Sequence, residues 1–197
     1  DEDMRFKQRE KKMGHLVIFV VDGSGSMGAQ RRMVETKGTV QYLLLDCYQK
    51  RDMVSLIVFR KDKAEIVLPP TSSVETASRR LREIPVGGKT PLSAGLLETH
   101  RLIKRVTVKS PETRFLVVLV TDGRANQSVS GLPVSEEIEK MTRLLSESRF
   151  TDYIVIDTEN KGRFMTTDLA LTIASALGAD YYTIDNLKAD SLTDIVR

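Results

Sequence analysis

The stretch Leu16-Val-Ile-Phe-Val-Val21, followed at once by Asp22-Gly-Ser24-Gly-Ser26, decides the fold. A continuous apolar run of that length reads as a central parallel strand buried on both faces. The abrupt change to small and polar residues marks its C-terminal end. Alternation in Asp22-x-Ser24-x-Ser26 points three oxygen-bearing side chains toward one region, and Gly23 and Gly25 permit a tight turn between them. Two distant segments carry matching oxygens: Thr90 within Gly87-Gly-Lys-Thr-Pro91, and Asp122 within Thr121-Asp-Gly123 at the end of another apolar run. Three chain-distant loops are thus expected at one end of a sheet. Two carboxylates and three hydroxyls suit a hard cation such as Mg2+, which takes about six oxygens and readily keeps waters or a partner's ligand. Asp22, Ser24, Ser26, Thr90 and Asp122 are therefore candidate ligands for a divalent cation, with Mn2+ as a substitute ion.

Working outward, residues 28–49 have helical periodicity, with Met33, Val40, Leu43, Leu44 and Cys47 available for a buried face. Val54–Phe59 and Ala64–Leu68 read as a hairpin across Arg60-Lys-Asp-Lys63, the second strand closed by Pro69-Pro70. Ser73 is suited to cap a helix over 74–83, and Pro91 to open the next, which runs to about Val106. Strand Phe115–Val120 delivers Asp122. A helix over about 134–148, strand Tyr153–Ile156, a helix over 166–177, strand Tyr181–Ile184 and a terminal helix over 188–197 complete the order. Alternating strands and helices predict a doubly wound α/β fold: a mostly parallel six-stranded sheet, one antiparallel edge strand, helices on both faces. In such sheets ligands bind beyond the carboxyl ends of the strands at a switch point, where Asp22 and Asp122 are expected.

A chain of 197 residues fits one domain with a sizeable core. Residues 1–14 read as the end of a charged linker and 15–197 as the domain. The charged start lacks the apolar stretch of a secretory leader, and no run is long enough to span a bilayer. Cys47 is the single cysteine, which excludes an intrachain disulfide and a thiolate metal cluster and points to a reducing compartment. Net charge is +3, from 30 basic and 27 acidic residues, too balanced to argue for nucleic acid. The basic clusters at Lys7–Lys12 and at Arg79, Arg80 and Arg82 read as solvated helix faces.

Phe19-Val-Val-Asp-Gly-Ser-Gly-Ser-Met27 resembles the opening of a von Willebrand factor A (integrin I-like) domain with its metal-ion-dependent adhesion site. Longer strings narrow the resemblance: Pro85-Val-Gly-Gly-Lys-Thr-Pro-Leu-Ser-Ala-Gly-Leu96, Val120-Thr-Asp-Gly-Arg-Ala-Asn126, Val155-Ile-Asp-Thr-Glu159 and Leu177-Gly-Ala-Asp-Tyr181 are similar to the C-terminal domain of the magnesium chelatase D subunit and its relatives. The resemblance covers residue 5 to the end. It implies that Ser24, Ser26 and Thr90 offer hydroxyls to Mg2+ while Asp22 and Asp122 act largely through water, a partner's carboxylate completing the sphere. It implies a partner in another subunit of an ATP-driven chelatase inserting Mg2+ into protoporphyrin IX, with an AAA+ ATPase region ahead of this domain and a separate porphyrin-binding subunit. A cytoplasmic location, or the plastid stroma in a plant or alga, and oligomers formed through the full-length protein go with that reading. So does a shift of the terminal helix on ligand binding. The domain alone is expected to be non-catalytic.

Rival motifs share these residues. Gly23-Ser-Gly-Ser-Met-Gly28 fits the dinucleotide pattern G-x-G-x-x-G, but Asp22 would sit beside a pyrophosphate, Phe59-Arg-Lys offers no acid to a ribose, and Thr90 and Asp122 would go unexplained. Gly88-Lys-Thr90 resembles a P-loop, yet the first glycine of that motif falls at Glu83. A nucleophile elbow fails because Asp22 and Ser24 stand where its first glycine belongs. His15 and His100 read as structural or surface residues. Arg124 and Asn126 either rim the metal face or form the turn after Gly123. An interaction module of another AAA+-linked complex, with the same site and a different client, is the alternative function, and a nucleotide-binding enzyme using the Gly23–Gly28 loop is the remaining one.

Overall fold

The computed structural model describes residues 15–25, 29–159 and 168–189. Six strands form one sheet: β1 His15–Asp22, β2 Met53–Arg60, β3 Lys63–Thr71, β4 Arg114–Thr121, β5 Thr151–Asp157 and β6 Asp180–Thr183, in the spatial order β3-β2-β1-β4-β5-β6. Only β2 and β3 pair antiparallel; the rest are parallel, as the alternation of elements predicts. The chain leaves β1 toward β2 on one side and returns as β4 on the other. β1 and β4 are neighbours with Val21 opposite Val120, so Asp22 and Asp122 emerge side by side at the switch point.

The apolar run of β1 is explained by the two cores it divides. Val17, Phe19 and Val21 face one layer, with Val40, Leu43, Leu44 and Cys47 of helix α1 (Ala29–Lys50), Ala77 and Leu81 of α2 (Val74–Arg82), and Ile184 and Leu187 of α6 (Ile184–Ala189). Leu16, Ile18 and Val20 face the other, with Leu92, Leu96, Leu102 and Ile103 of α3 (Leu92–Lys109), Ile138 and Leu145 of α4 (Val134–Ser146), and Ala170, Ile173 and Ala174 of α5 (Leu169–Leu177). Each apolar side chain of the Leu16–Val21 run contributes about 1.5–3 kcal/mol of hydrophobic transfer free energy. Gly95 lets α3 approach β2 closely, since a Cβ there would lie 2.7 Å from Cδ1 of the fully buried Phe59. That contact sets the position of the α3 N-terminus, where Thr90 stands.

Three boundaries differ from the sequence reading. β3 does not stop at Pro69 but runs through both prolines to Thr71, opposite Val54. An edge strand tolerates proline because one row of its N–H groups has no ladder partner. Irregular register between Val54 and Ile57 accommodates the change, and Ser55 Oγ donates to the Leu68 carbonyl at 2.8 Å. Ile184 belongs to α6 rather than β6, because Thr183 Oγ1 accepts from the Asn186 N–H at 3.3 Å and ends the strand as a helix cap. The chain therefore turns helical at 184, earlier than 188. Residues 1–14, the remainder of the expected terminal helix, residues 166–167 of the expected fifth helix, Gly28 and the candidate ligand Ser26 lie outside the described residues. Ser73 caps α2 as expected, its side chain accepting from the Thr76 N–H.

Candidate metal centre

Asp22 ends β1, and its Oδ1 accepts from the Ser24 N–H at 2.8 Å, the short turn that the intervening glycine allows. The turn is held from both sides: Gly23 N–H donates to the Phe59 carbonyl at 3.0 Å, Gly87 N–H donates to the Gly23 carbonyl at 3.0 Å, and Gly25 bridges Gly88. Gly88 has φ +100°, and a Cβ on it would strike Lys61 Cγ at 2.7 Å, so this crossing admits only glycine.

These crossings bring Thr90 to Ser24. Thr90 is buried, and its Oγ1 donates to Ser24 Oγ at 2.8 Å across 66 residues of chain. The third loop joins through Asn126, whose Oδ1 accepts from the Thr90 N–H at 2.8 Å while its own N–H donates to the Thr90 carbonyl at 3.3 Å. Asn126 is thus a clamp between loops rather than only a rim or turn residue. Asp122 Oδ1 accepts from the Arg124 N–H at 3.1 Å, and Arg124 reaches Asp122 Oδ2 at 4.0 Å and Glu159 Oε1 at 3.5 Å. Asp22, Ser24, Thr90 and Asp122 are therefore gathered at one place.

Asp22 carries the clearest electrostatic signature. Its Oδ2 is sealed from solvent with no hydrogen-bond donor among the described residues. Burial pushes its carboxyl up, to about 7; hydrogen bonding from Ser24 opposes the shift and the neighbouring Asp122 charge adds to it. An orphaned carboxylate oxygen beside a second carboxylate and two hydroxyls is a donor set that fits a hard cation. Among the described residues no group of three or more His, Cys, Asp and Glu side chains is placed to hold a metal.

Beneath the third loop lies a group that the sequence reading missed. Glu137, in the first turn of α4, has Oε2 accepting from Ser93 Oγ at 2.8 Å and Oε1 accepting from Ser128 Oγ at 2.8 Å and from the Ser130 N–H at 2.6 Å, with the Val129 N–H also within 3.1 Å. Burial alone would raise its carboxyl, but the hydrogen bonds from Ser130, Ser93 and Val129 outweigh it and hold the group at about 2. Ser93 is the second residue of α3, three past Thr90, so this carboxylate fastens the Asp122 loop to the helix that presents Thr90. Its sequence signal was weak, since paired glutamates in a first helical turn ordinarily serve the helix dipole. His15 lies at the opposite end of β1, 3.5 Å from Asp52, far from this site.

A von Willebrand factor type A domain profile matches residues 17–124. The magnesium-chelatase 67 kDa subunit of Heliobacterium mobile is 40% identical over 204 residues, covering 100% of this chain and 30% of that protein. The uncharacterised protein Rv2850c of Mycobacterium tuberculosis is 41% identical over 196 residues, again covering 100% of this chain and 30% of the relative. The chain thus spans about a third of the length of both. Among solved structures, the three N-terminal domains of the type V pili tip protein Mfa5 from Porphyromonas gingivalis superpose with a TM-score of 0.72 at 13% identity, over 93% of this chain and 49% of that one, a likeness of fold alone. The family match, these relatives and the sheet order agree: the chain belongs to the von Willebrand factor type A domain family and is homologous to magnesium-chelatase subunits.

Proposed function

We propose that this chain is a metal-dependent protein-interaction domain of a magnesium chelatase D-type subunit, linking an AAA+ ATPase motor to insertion of Mg2+ into protoporphyrin IX. The observation that carries the reading is the buried Asp22 Oδ2, without a hydrogen-bond partner among the described residues, set among the Ser24 and Thr90 hydroxyls and beside Asp122. Ser24, Ser26 and Thr90 would hold the resident cation through hydroxyls, with Asp22 and Asp122 supplying the compensating charge. A bound Mg2+ supplies an electrophilic centre with room for one carboxylate from a partner subunit. The chain's own residues do the rest: Asn126 and the Gly25–Gly88 crossing keep the loops in register, and Glu137 fixes the Asp122 loop against α3. The domain binds and positions; its chemistry belongs to the assembled complex.

The near-equal identity to a chelatase subunit and to Rv2850c favours one second reading, the same site serving a different AAA+-linked complex. The test is association of the full-length protein with the ATPase and porphyrin-binding subunits of the same source, in Mg2+ and in chelator. Mg2+-dependent complexes lost in Asp22→Ala and in the Ser24→Ala, Ser26→Ala double variant are expected. Association indifferent to both chelator and substitution contradicts the reading, and Mg2+-dependent binding to a different ATPase assembly favours the second.

A further inference from the structure

Each of the three loops that meet at the candidate metal centre carries a cation against it. Arg60 packs along the Asp22 turn, where a Cβ on Gly23 would come within 3.4 Å of its Cδ. Lys61 lies over Gly88 in the Thr90 loop, its N–H donating to the Lys89 carbonyl at 2.9 Å, which fixes the two lysines side by side and Lys89 next to Thr90. Arg124 follows Asp122 by two residues. Lys61 and Lys89 are exposed, and Arg60 and Arg124 half-buried. Among the described residues Arg60, Lys61 and Lys89 have no ion-pair partner, and Lys89 Nζ donates only to the neutral Gln127 Oε1 at 2.9 Å. Asp62 is the exposed acid of the adjoining turn, and Asp122 and Glu159 lie against Arg124, so the exposed cations of this rim without an ion-pair partner among the described residues are Lys61 and Lys89.

We propose that this rim is a recognition surface for a run of acidic residues on a partner protein, with one carboxylate at the metal centre and its neighbours on Lys61 and Lys89. The proposal rests on the metal-dependent reading above and deepens it by naming the partner's chemistry. A protein segment fits better than nucleic acid. The cations come from three loops that meet at one point instead of tracking a groove, and Phe59, the aromatic residue next to Arg60 in the chain, is fully buried and unable to stack on a base. Rim ion pairs are individually weak, about two- to fivefold in affinity each, so their sum sets preference while the metal sets dependence.

The test compares two labelled peptides on the chain in Mg2+ at low salt by fluorescence anisotropy, one with a single glutamate in a Gly-Ser background and one with four consecutive glutamates. The acidic run is expected to bind about tenfold tighter. Lys61→Glu with Lys89→Glu should erase that advantage and leave the single-glutamate peptide unchanged; Lys61→Gln with Lys89→Gln should erase most of it, controlling for charge-reversal damage. Asp22→Asn should weaken both peptides alike. Equal affinities in wild type, both lost in Asp22→Asn, overturn the rim and leave the metal centre standing. An advantage for the acidic run that persists undiminished in chelator overturns the metal reading instead. Tighter binding of an oligodeoxythymidylate than of the acidic peptide overturns the choice of partner, and failure of both peptides overturns both ideas.

Discussion

Replacing Glu137 by alanine should loosen the Asp122 loop at a cost that can be worked out from its partners. The carboxylate is 4% exposed, but it lies under a single loop rather than deep in the core, so its donors do not lose equally. Ser128, Ser130 and Val129 are near solvent and recover water once the carboxylate is gone. Ser93, at 1% exposure, cannot, and an unsatisfied buried hydroxyl costs about 1–3 kcal/mol. With the small void left behind, the total is about 2–4 kcal/mol. Urea unfolding at pH 7 measures it, and a double-mutant cycle with Ser93→Ala should return a coupling of about 1 kcal/mol. The pH dependence is specific. The folded carboxyl is held at about 2, below the ordinary 4.5, so its contribution is fully present above pH 4.5 and is lost as pH falls toward 2. The gap between wild type and Glu137→Ala should therefore be constant from neutrality to about pH 5 and narrow below 4.5. A loss under about 0.5 kcal/mol, or a gap unchanged down to pH 3, would show that Glu137 does not hold the Asp122 loop.

Gly95→Ala should destabilise by about 1–3 kcal/mol, because its Cβ would lie 2.7 Å from the Phe59 ring; a denaturation midpoint equal to wild type would show that α3 slides away freely. Cys47 is fully buried and burial pushes its thiol up, to about 12, so a thiol reagent at pH 8 should leave it unlabelled in the native chain and label it after unfolding; rapid native labelling would contradict the packing of α1. Asn126→Ala should remove the clamp between the Thr90 and Asp122 loops, speeding amide exchange at Thr90 with a stability loss of about 1–2 kcal/mol. Unchanged exchange there would assign the loop order to Glu137 alone.

The architecture was legible because both periodicities are strong. The unbroken apolar run of β1 has one meaning in a parallel sheet, and the α1 residues named for burial are buried for the same reason. Boundaries slipped where local chemistry is ambiguous. Pro69-Pro70 reads as a stop but sits on an edge strand, and Ile184 continues an apolar strand in sequence while Thr183 has already capped a helix. At the site, the oxygen-bearing residues could be read because each follows a strand or a glycine turn. What holds them could not. The Gly25–Gly88 crossing, the Asn126 clamp and the Glu137 fastening join residues far apart in the chain, and no spacing rule encodes such pairings. The Lys61–Lys89 neighbourhood is hidden likewise, since it exists only through a backbone hydrogen bond between two loops.

A divalent cation is expected to bind where the Asp22, Thr90 and Asp122 loops meet. Titrating substoichiometric Mn2+ into the isotopically labelled chain and recording amide line broadening locates the ion directly. The amides of Ser24, Thr90 and Arg124 should broaden first, excess Mg2+ should restore them, and Asp22→Asn should abolish the effect. Broadening that starts at the opposite end of the sheet, near His15 and Asp52, or none that Mg2+ reverses, would contradict binding where the three loops meet.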